Sequence, residues 1–220
     1  MLRDIRFAIR NVSKRPSFAA IVILVLGLGI GATASIFSIV DALILRPLPY
    51  PNAERLVMIR EINAKGIDVR VAEPNFQDLG QLNRSFEHLG IGVGSFPLAV
   101  TGGNEAIKAR VSYASGDFFN AMGFQPIRGR SFLPEEEKFG GPVAAVISYG
   151  YWQKALGGRS DFDAVKLNVD GVSTNIVGVM PPSFDYPLET EVWTTRNGEP
   201  LNTSRTSHNW PVIGRLREGT

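Results

Sequence analysis

The stretch that decides the fold is Phe18–Leu45, with the sequence FAAIVILVLGLGIGATASIFSIVDALIL. No charged residue lies between Phe18 and Val40. At a helical rise of 1.5 Å per residue this stretch would reach about 42 Å, whereas the hydrocarbon core of a bilayer is about 30 Å thick. Tilt of the helix, or an end near Asp41 that stands out of the lipid, accommodates the surplus length. The sequence therefore predicts a membrane-spanning helix.

Two other interpretations of this stretch stay open. A buried core helix needs protein on every side, and such helices seldom run this long without polar residues. A secretory signal peptide is the second, because Ala32-Thr33-Ala34 has the small-x-small form of a cleavage site after an apolar run. The apolar pattern continues past Ala34 to Leu45, where a cleaved protein would begin its polar mature sequence. This continuation favours the span.

The segment before the span has a basic amphipathic pattern with two stripes at helical spacing. The basic stripe consists of Arg3, Arg6, Arg10 and Lys14, and the apolar stripe of Leu2, Ile5, Ile9 and Val12. A helix of this kind lies along an anionic leaflet with its apolar face in the headgroup boundary. We therefore expect an interfacial helix over residues 1–17, a transmembrane helix over 18–46 and an outer domain over 47–220.

Basic residues are distributed unevenly about the span. Five Lys or Arg residues fall within the first fifteen positions, against Arg46, Arg55 and Arg60 in the fifteen positions after Leu45. Segments rich in Lys and Arg remain on the cytoplasmic side of a membrane. The sequence thus predicts a cytoplasmic N-terminus and a main domain outside the bacterial inner membrane, which is periplasmic where there are two membranes.

Small residues recur along the predicted span in two neighbouring rows. The rows are Gly27, Gly31 and Ser35, and beside them Ala34, Ser38 and Ala42. Such rows let a second helix approach closely. The pattern favours packing against other spans, with a lipid-facing single anchor as the alternative.

Composition limits the remaining possibilities. The chain has 220 residues, of which 44% are hydrophobic and 20% charged, so it has room for one span and one globular domain. A formal net charge of +2 gives no support to nucleic-acid binding. The absence of cysteine excludes a disulfide framework, a thiol nucleophile and a thiolate metal site.

Residues 47–220 mix strand and helix patterns. Strands are predicted over 55–61, 97–101, 107–111 and 142–148. A helix is predicted from Pro74, with an apolar stripe of Phe76, Leu79, Leu82, Phe86 and Leu89. A second helix over 117–122 ends at Gly123, and a third is capped by Ser148 and ends at Gly157.

The clearest local signal is a hairpin around Asp170-Gly171. Alternating apolar residues flank this dipeptide, and Asp-Gly favours a type I′ turn. Strands and helices thus alternate without the evenly repeated βαβ units of a parallel doubly wound sheet. The sequence predicts an α+β outer domain preceded by one transmembrane α-helix.

A series of collinear motifs resembles a known family over nearly the whole chain. The motifs are GLGIGATASIFSIVDALILRPLPYP in the span and its exit, Arg55-Leu56-Val57, Asn75-Phe76-Gln77-Asp78-Leu79 with Ser85-Phe86-Glu87, Ala109-Arg110-Val111-Ser112, Phe118-Phe119 with Met122-Gly123, Gly129-Arg130-Ser131-Phe132, Val146-Ile147-Ser148-Tyr149 with Trp152, Leu167 to Gly171, Val177-Gly178-Val179-Met180-Pro181, and Val192-Trp193. Together they resemble the N-terminal part of MacB-like (FtsX-type) ABC transporter permeases with their periplasmic core domain.

The resemblance implies a permease subunit with a first span, a large extracytoplasmic domain and three further spans. Such a subunit works as a homodimer or with a paired permease half, beside a separate ABC ATPase, and a periplasmic adaptor is a further candidate partner. ATP-driven closure of the membrane helices then moves the outer domains, which act in efflux or on envelope substrates. The chain departs from the family pattern because it stops at Thr220, about where the outer domain would return to the membrane. We therefore expect a truncated gene or a fragment.

No catalytic, cofactor-binding or metal-binding residue set is predicted. The chain has no Gly-Lys dipeptide and hence no Walker A phosphate loop, so ATP hydrolysis is expected on another subunit. His88 and His208 lack metal-ligand spacing. Glu135-Glu136-Glu137 after Pro134 is predicted to begin a helix, and Ser148 is predicted to be a cap and not a nucleophile.

Two further patterns allow a structural and a functional interpretation. Gly90-x-Gly92-x-Gly94 is predicted to be a glycine-rich turn and not a nucleotide loop. A set of aromatic residues either packs in the core, as we expect for most of them, or lines an apolar substrate surface. The set is Phe96, Phe118, Phe119, Tyr149, Tyr151, Trp152, Phe184, Tyr186 and Trp193.

The leading hypothesis is an inner-membrane ABC permease, present as its first span and periplasmic domain. The alternative from another class is a single-span or secreted periplasmic binding or sensor domain that works without an ATPase. An envelope enzyme is a third hypothesis, and it has almost no residue support. A neighbouring ATPase gene would favour the permease.

Overall fold

The computed structural model describes residues 16–41, 48–102, 107–196 and 202–220 and divides into two compact units, Met1–Pro49 and Tyr50–Thr220. The first described element, α1, is a helix over Pro16–Val40 with a mean hydropathy of 2.4 in its most apolar window. Its 25 residues correspond to about 38 Å, enough to cross a hydrocarbon core. The predicted apolar helix is confirmed, whereas its insertion in a membrane stays a prediction. Most of the predicted interfacial helix (residues 1–15) and the predicted end of the span (42–46) lie outside the described residues.

Hydroxyl groups in α1 are satisfied within the helix. Thr33, Ser35 and Ser38 each donate to the carbonyl oxygen four residues earlier, at 2.9, 2.8 and 2.8 Å. Such back-bonding suits an apolar surrounding, where a hydroxyl group without a partner is costly. A Cβ atom at Gly27 or Gly31 would meet nothing within 4 Å, so the predicted packing of other helices on this face stays a prediction.

The second unit contains twelve strands and three helices among its described residues. In chain order they are β1 (Leu56–Ile59), β2 (Glu61–Ile62), β3 (Asp68–Val69), α2 (Glu73–Leu82), β4 (Phe86–Ile91), β5 (Phe96–Thr101), β6 (Ile107–Tyr113), α3 (Phe118–Met122), β7 (Arg128–Gly129), β8 (Ala144–Ile147), α4 (Tyr149–Leu156), β9 (Lys166–Val169), β10 (Val172–Val179), β11 (Val192–Thr194) and β12 (Val212–Leu216). This mixture confirms the predicted α+β class.

The larger sheet closes on itself. Its order is β10, β8, β11, β6, β5 and β9, and β9 also pairs with the first half of β10. The pairings therefore form a ring of six strands, to which the short β7 adds at the second half of β10. Within the ring, β8 and β10 are parallel, as are β6 and β11, and the remaining pairs are antiparallel.

The smaller sheet joins distant parts of the chain. Its order is β1, β12 and β4, with both pairs antiparallel. Leu56 lies opposite Arg215, and Ile59 lies opposite Val212. The first and last strands of the second unit are therefore direct neighbours, and β2 and β3 form a separate hairpin.

Side chains of the ring alternate between two buried clusters, as the period of a strand requires. The inner cluster combines strand residues with three residues of α4: Val100, Ala109, Val111, Ala145, Ile147, Leu167, Val169, Ile176 and Val192, with Tyr151, Trp152 and Leu156. The outer cluster combines the other strand face with α3 and the aromatic residues: Ala144, Val146 and Trp193, with Phe118, Phe119, Met122, Met180 and Phe184. A third cluster lies under the smaller sheet and includes Val71, Leu89, Trp210 and Val212.

Several local predictions are confirmed. Asp170 and Gly171 both have positive φ, 50° and 88°, as a type I′ turn requires. The strands that they connect pair in register, with Val172 opposite Val169. Ser148 caps α4, because its hydroxyl accepts from the backbone N–H of Tyr151 at 3.1 Å. Gly123 and Gly157 end α3 and α4 in the left-handed conformation.

Two predictions are wrong. The helix that begins near Pro74 ends at Leu82, and Phe86 and Leu89 of its predicted stripe belong to β4. Asn83 ends this helix in an extended conformation, and its side chain accepts from the backbone N–H of Phe86. Gly90 lies within β4, and Gly92 forms a bridge with Ala114, so this part of the glycine pattern is extended backbone and not a turn.

Candidate functional site

The pairing of β1 with β12 is the centre of the candidate functional site. β1 is the first strand after α1 in the chain, and β12 is the last strand of the unit. Their backbone hydrogen bonds run from Leu56–Arg215 to Ile59–Val212. The first and last strands of the second unit are therefore held together by main-chain hydrogen bonds.

Arg55 reinforces this junction immediately before β1. Its Nε donates to the carbonyl oxygen of Leu216 at 2.8 Å, and its guanidinium pairs with the carboxylate of Glu87 on β4. Glu218 lies 3.5 Å from the same guanidinium. One half-buried side chain thus holds the three strands of the smaller sheet together.

Arg215 is a charged residue within this junction, and it is only 5% exposed. Its Nε donates to the carbonyl oxygen of Ala121 at 2.9 Å, and Nη1 approaches the carbonyl oxygen of Asn52 at 3.4 Å. Burial, and secondarily the positive charge of Arg55, lower the pKa of Arg215 below its ordinary value. Among the described residues, the hydrogen bonds of Arg215 go to carbonyl groups, while the carboxylates of Glu87 and Glu54 favour its charged form from a longer distance.

The two carbonyl groups that Arg215 contacts come from different elements. Ala121 lies in the last turn of α3, where a positive charge is favourable because exposed carbonyl groups collect at a helix C-terminus. Asn52 precedes β1. Arg215 therefore connects the segment before β1, strand β12 and helix α3.

Asp117 makes a second connection between α3 and the smaller sheet. Its carboxylate accepts from the backbone N–H of Leu89 at 3.1 Å and lies 2.9 Å from Nδ1 of His88. The Asn120 amide donates to the same carboxylate at 2.9 Å. Because α3 also packs on the ring through Phe118 and Phe119, it joins the two sheets.

The residues that the sequence singled out for chemistry lie in separate places. His88 pairs with Asp117, and His208 lies 3.0 Å from the carboxylate of Glu61. Among residues 16–41, 48–102, 107–196 and 202–220, no group of three or more His, Asp or Glu side chains is arranged to hold a metal. Ser148 serves as a helix cap.

The acidic run after Pro134 forms one short turn, Pro134–Glu136, and not a longer helix. Glu136 accepts from both terminal nitrogens of Arg130, at 2.8 and 2.7 Å, and from the backbone N–H of Leu133 at 2.7 Å. Burial opposes ionisation of Glu136, but these hydrogen bonds outweigh it and lower its pKa. Burial raises the pKa of Glu137, whose carboxylate accepts from the backbone N–H of Gly116 at 2.7 Å.

Most of the aromatic set packs in the core, as expected. Phe118, Phe119, Phe184 and Trp193 form a cluster with ring centroids between 5.2 and 6.3 Å apart. Tyr149 packs edge-on against Trp152 at 5.6 Å. Phe96 differs, because it is 48% exposed at the rim of a cavity.

Sequence reasoning missed the two arginines of the junction. Arg215 lies within the apolar strand sequence VIGRL, which is the signal that would have marked it, because a charged residue in a buried strand requires partners. The sequence does not show which carbonyl groups supply them. Arg55 appeared only within a family motif and a charge count, and its role depends on the pairing of β1 with β12.

Comparison with solved structures shows similar folds. A domain of a predicted permease protein from Porphyromonas gingivalis aligns with a TM-score of 0.57 at 16% identity, over 78% of this chain and 79% of that one. The periplasmic region of MacB from Actinobacillus actinomycetemcomitans gives 0.56 at 8% identity, over 78% of each chain. The extracellular domain of the noncanonic ABC-type transporter YknZ from Gram-positive bacteria gives 0.51 at 12% identity, over 74% and 84%.

Comparison of the sequence gives the family. No curated protein matches the chain in a sequence search. The family model described as the MacB-like periplasmic core domain matches residues 19–220, which includes all of α1 except its first three residues and the whole second unit. The chain therefore belongs to the MacB-like periplasmic core domain family of ABC-type transporter permeases.

Proposed function

We propose that the chain is the N-terminal part of an ABC transporter permease subunit of the bacterial inner membrane. In this proposal residues 1–17 lie along the cytoplasmic leaflet, 18–46 cross the bilayer, and 47–220 form the periplasmic or extracellular domain. The observation that carries the proposal is the match of one family model to both the apolar helix and the domain that follows it. The excess of Lys and Arg before the helix supports the orientation.

ATP hydrolysis is assigned to a separate subunit. No Gly-Lys dipeptide, which a Walker A phosphate loop requires, occurs in the 220 residues. We propose an ABC ATPase as the partner that hydrolyses ATP. We propose further that a second permease copy, or a paired permease half, packs on the small residues of α1, and that a periplasmic adaptor completes an efflux assembly.

The junction of β1 and β12 suggests how motion reaches the outer domain. A membrane helix that moves displaces β1, which follows it in the chain, and β12 and α3 move with β1 through Arg55 and Arg215. Since α3 packs on both sheets, the whole domain responds as one body. This role couples ATP-driven motion to substrates outside the membrane.

Cysteine labelling tests the topology. The chain has no cysteine, so single cysteines at Ser13 and Ser160 are unique labelling sites. A membrane-impermeant maleimide applied from the outside is expected to label Ser160→Cys only, and Ser13→Cys only after the membrane is opened. Labelling of both residues from outside, or a mature N-terminus at Ser35, would contradict the proposal in favour of a secreted domain.

Co-purification tests the transporter role. A permease that contains this chain and its remaining spans is expected to associate with an ABC ATPase of the same organism and to alter the rate of ATP hydrolysis. A chain that inserts in the predicted orientation and neither binds this ATPase nor alters its turnover would instead be a single-span binding or sensor domain.

A further inference from the structure

A partly open, mainly apolar cavity of about 440 Å³ lies at the mouth of the six-stranded ring. Leu98 of β5, Val169 of β9 and Thr194 of β11 line it, so its walls come from strands around the ring. Trp210, in the segment before β12, also lines it. A volume of this size lies within the range of small-molecule sites, which occur in the mouths of β-barrels.

Exposed apolar side chains surround the cavity. Phe96 and Val172 are 48% and 49% exposed, although both lie opposite residues of the inner core, Val111 and Val169. Each Å² of apolar surface left in water costs about 25 cal/mol, so these side chains gain free energy when a ligand covers them. The rim therefore favours an apolar ligand over a water-filled cavity.

Hydroxyl groups supply the polar part of the lining. Thr174, Thr194 and Thr195 line the cavity beside the apolar walls. Thr195 accepts from the backbone N–H of Ala144, and Thr174 donates to the carbonyl oxygen of Val172. Of these three threonines, Thr194 is the one whose hydroxyl has no hydrogen-bond partner among the described residues, so it is left to bond a ligand.

Charges at the cavity disfavour an anionic ligand. Arg196 lines the cavity, but it forms an ion pair with Glu73 at 2.9 Å and stacks on the indole ring of Trp210 at 4.3 Å. Its charge is thus offset by a buried carboxylate. Asp170 at the hairpin turn adds a negative charge at the mouth.

Trp210 contributes its indole ring to the lining of the cavity. The indole Nε1–H is buried and has no acceptor among the described residues, so the ring presents its apolar surface to a ligand. Trp210 is also a fluorophore within the site, and its emission reports on a ligand in contact with it.

We propose that this cavity binds an uncharged, largely apolar small molecule that carries a hydroxyl or carbonyl oxygen. The apolar part lies between Phe96, Leu98 and Val172, and the oxygen bonds the hydroxyl of Thr194. Binding here does not depend on the transporter role, and a sensor domain would use the site equally well.

Fluorescence quenching by brominated probes tests the site in the full chain, reconstituted in lipid nanodiscs. The probe is para-bromobenzyl alcohol, and its bromine quenches a neighbouring indole. Saturable quenching is expected for the natural sequence and is expected to disappear in Trp210→Phe, which leaves Trp152 and Trp193. Quenching that rises without saturation, or that persists in Trp210→Phe, would overturn the proposal.

Matched probes and variants separate the parts of the proposal. Para-bromobenzoate, an anion of similar shape, is expected to bind about tenfold more weakly, because Glu73 offsets the charge of Arg196 and Asp170 adds a negative charge at the mouth. Thr194→Val is expected to weaken the alcohol about tenfold and to leave bromobenzene unchanged. Equal or tighter binding of the anion, or an unchanged alcohol affinity in Thr194→Val, would contradict the assigned ligand class.

Rim variants test the location without disturbing the core. Phe96→Ser removes an exposed apolar side chain at the cavity and is expected to weaken binding. Leu188→Ser removes one of similar size outside the cavity, where Leu188 is also exposed, and is expected to leave binding unchanged. If both variants bind the probe like the natural sequence, the site lies elsewhere and the proposal is wrong.

Discussion

Gly90 of β4 lies directly against the backbone of Phe118 at the start of α3. A Cβ atom at Gly90 would be 2.8 Å from the backbone nitrogen of Phe118 and closer still to its Cα, distances that real Cβ atoms essentially never show. The glycine is thus required by the close approach of a helix to a strand. This contact seats α3 on the smaller sheet, beside the hydrogen bonds of Asp117.

We predict that Gly90→Ala destabilises the second unit by about 1 to 3 kcal/mol, because the added methyl group forces α3 away from β4. Gly94→Ala is the matched control, since a Cβ atom there meets nothing within 4 Å. Chemical denaturation measures the free energy of unfolding of both variants. Equal unfolding midpoints for Gly90→Ala and the natural sequence would show that α3 shifts without cost.

Gly171→Val is predicted to destabilise the unit by about 1 to 3 kcal/mol, because a β-branched residue tolerates positive φ poorly. Gly171 has φ of 88° in the turn between β9 and β10. Asp170→Asn is the control, because Asn also adopts the left-handed conformation that Asp170 has. An unchanged denaturation midpoint in Gly171→Val would contradict the turn assignment.

Arg215→Met is predicted to cost about 1 to 3 kcal/mol, because the carbonyl oxygen of Ala121 loses a buried donor. Arg217→Met, at an exposed position two residues along, is expected to change stability by less than about 0.5 kcal/mol. Thermal unfolding followed by circular dichroism compares the two. A more stable Arg215→Met protein would show that burial of the charge outweighs its hydrogen bonds.

Glu137 is predicted to give the unit a pH-dependent stability. Burial raises the pKa of Glu137 above its ordinary value near 4.5. As the pH falls, Glu137 therefore takes up its proton at a higher pH in the folded protein than in the unfolded chain. The contribution of Glu137 to the free energy of unfolding therefore rises as the pH falls through its pKa in the folded protein. This contribution becomes constant once the pH is below its pKa in the unfolded chain. Glu137→Gln is expected to be more stable than the natural sequence at neutral pH.

Unfolding midpoints between neutral pH and about 4.5 measure this effect. The difference between Glu137→Gln and the natural sequence is expected to shrink as the pH falls. Glu135→Gln, at an exposed neighbouring position, is expected to show no such trend. A constant difference across the range would mean that the carboxylate of Glu137 titrates normally.

Gly31→Leu is predicted to reduce association of α1 with partner helices without preventing its insertion, because a bulky residue blocks close backbone approach. In a permease with its remaining spans, ATP turnover by the partner ATPase is expected to fall as well. Gly29→Leu is the matched control, because Gly29 lies on nearly the opposite face of α1 and a Cβ atom there also meets nothing within 4 Å. Unaltered association and turnover in Gly31→Leu would indicate that this face contacts lipid.

Sequence by itself determined the features that depend on local chemistry. The charge-free run of mostly apolar side chains from Phe18 to Val40 predicted helix α1, since a helix pairs its polar backbone groups within one segment. Ser148, Gly123 and the Asp170-Gly171 pair marked a helix start, a helix end and a turn, because each acts on its own backbone. The collinear motifs gave the family.

The tertiary structure decided what depends on residues far apart in the chain. Phe86 and Leu89 continue the helical spacing of α2, yet they form a strand because β12 supplies hydrogen-bond partners that lie more than a hundred residues later. The closure of the ring, the cavity at its mouth and the carbonyl partners of Arg215 all depend on such pairings. Sequence spacing records only neighbours along the chain, whereas packing selects which distant surfaces meet.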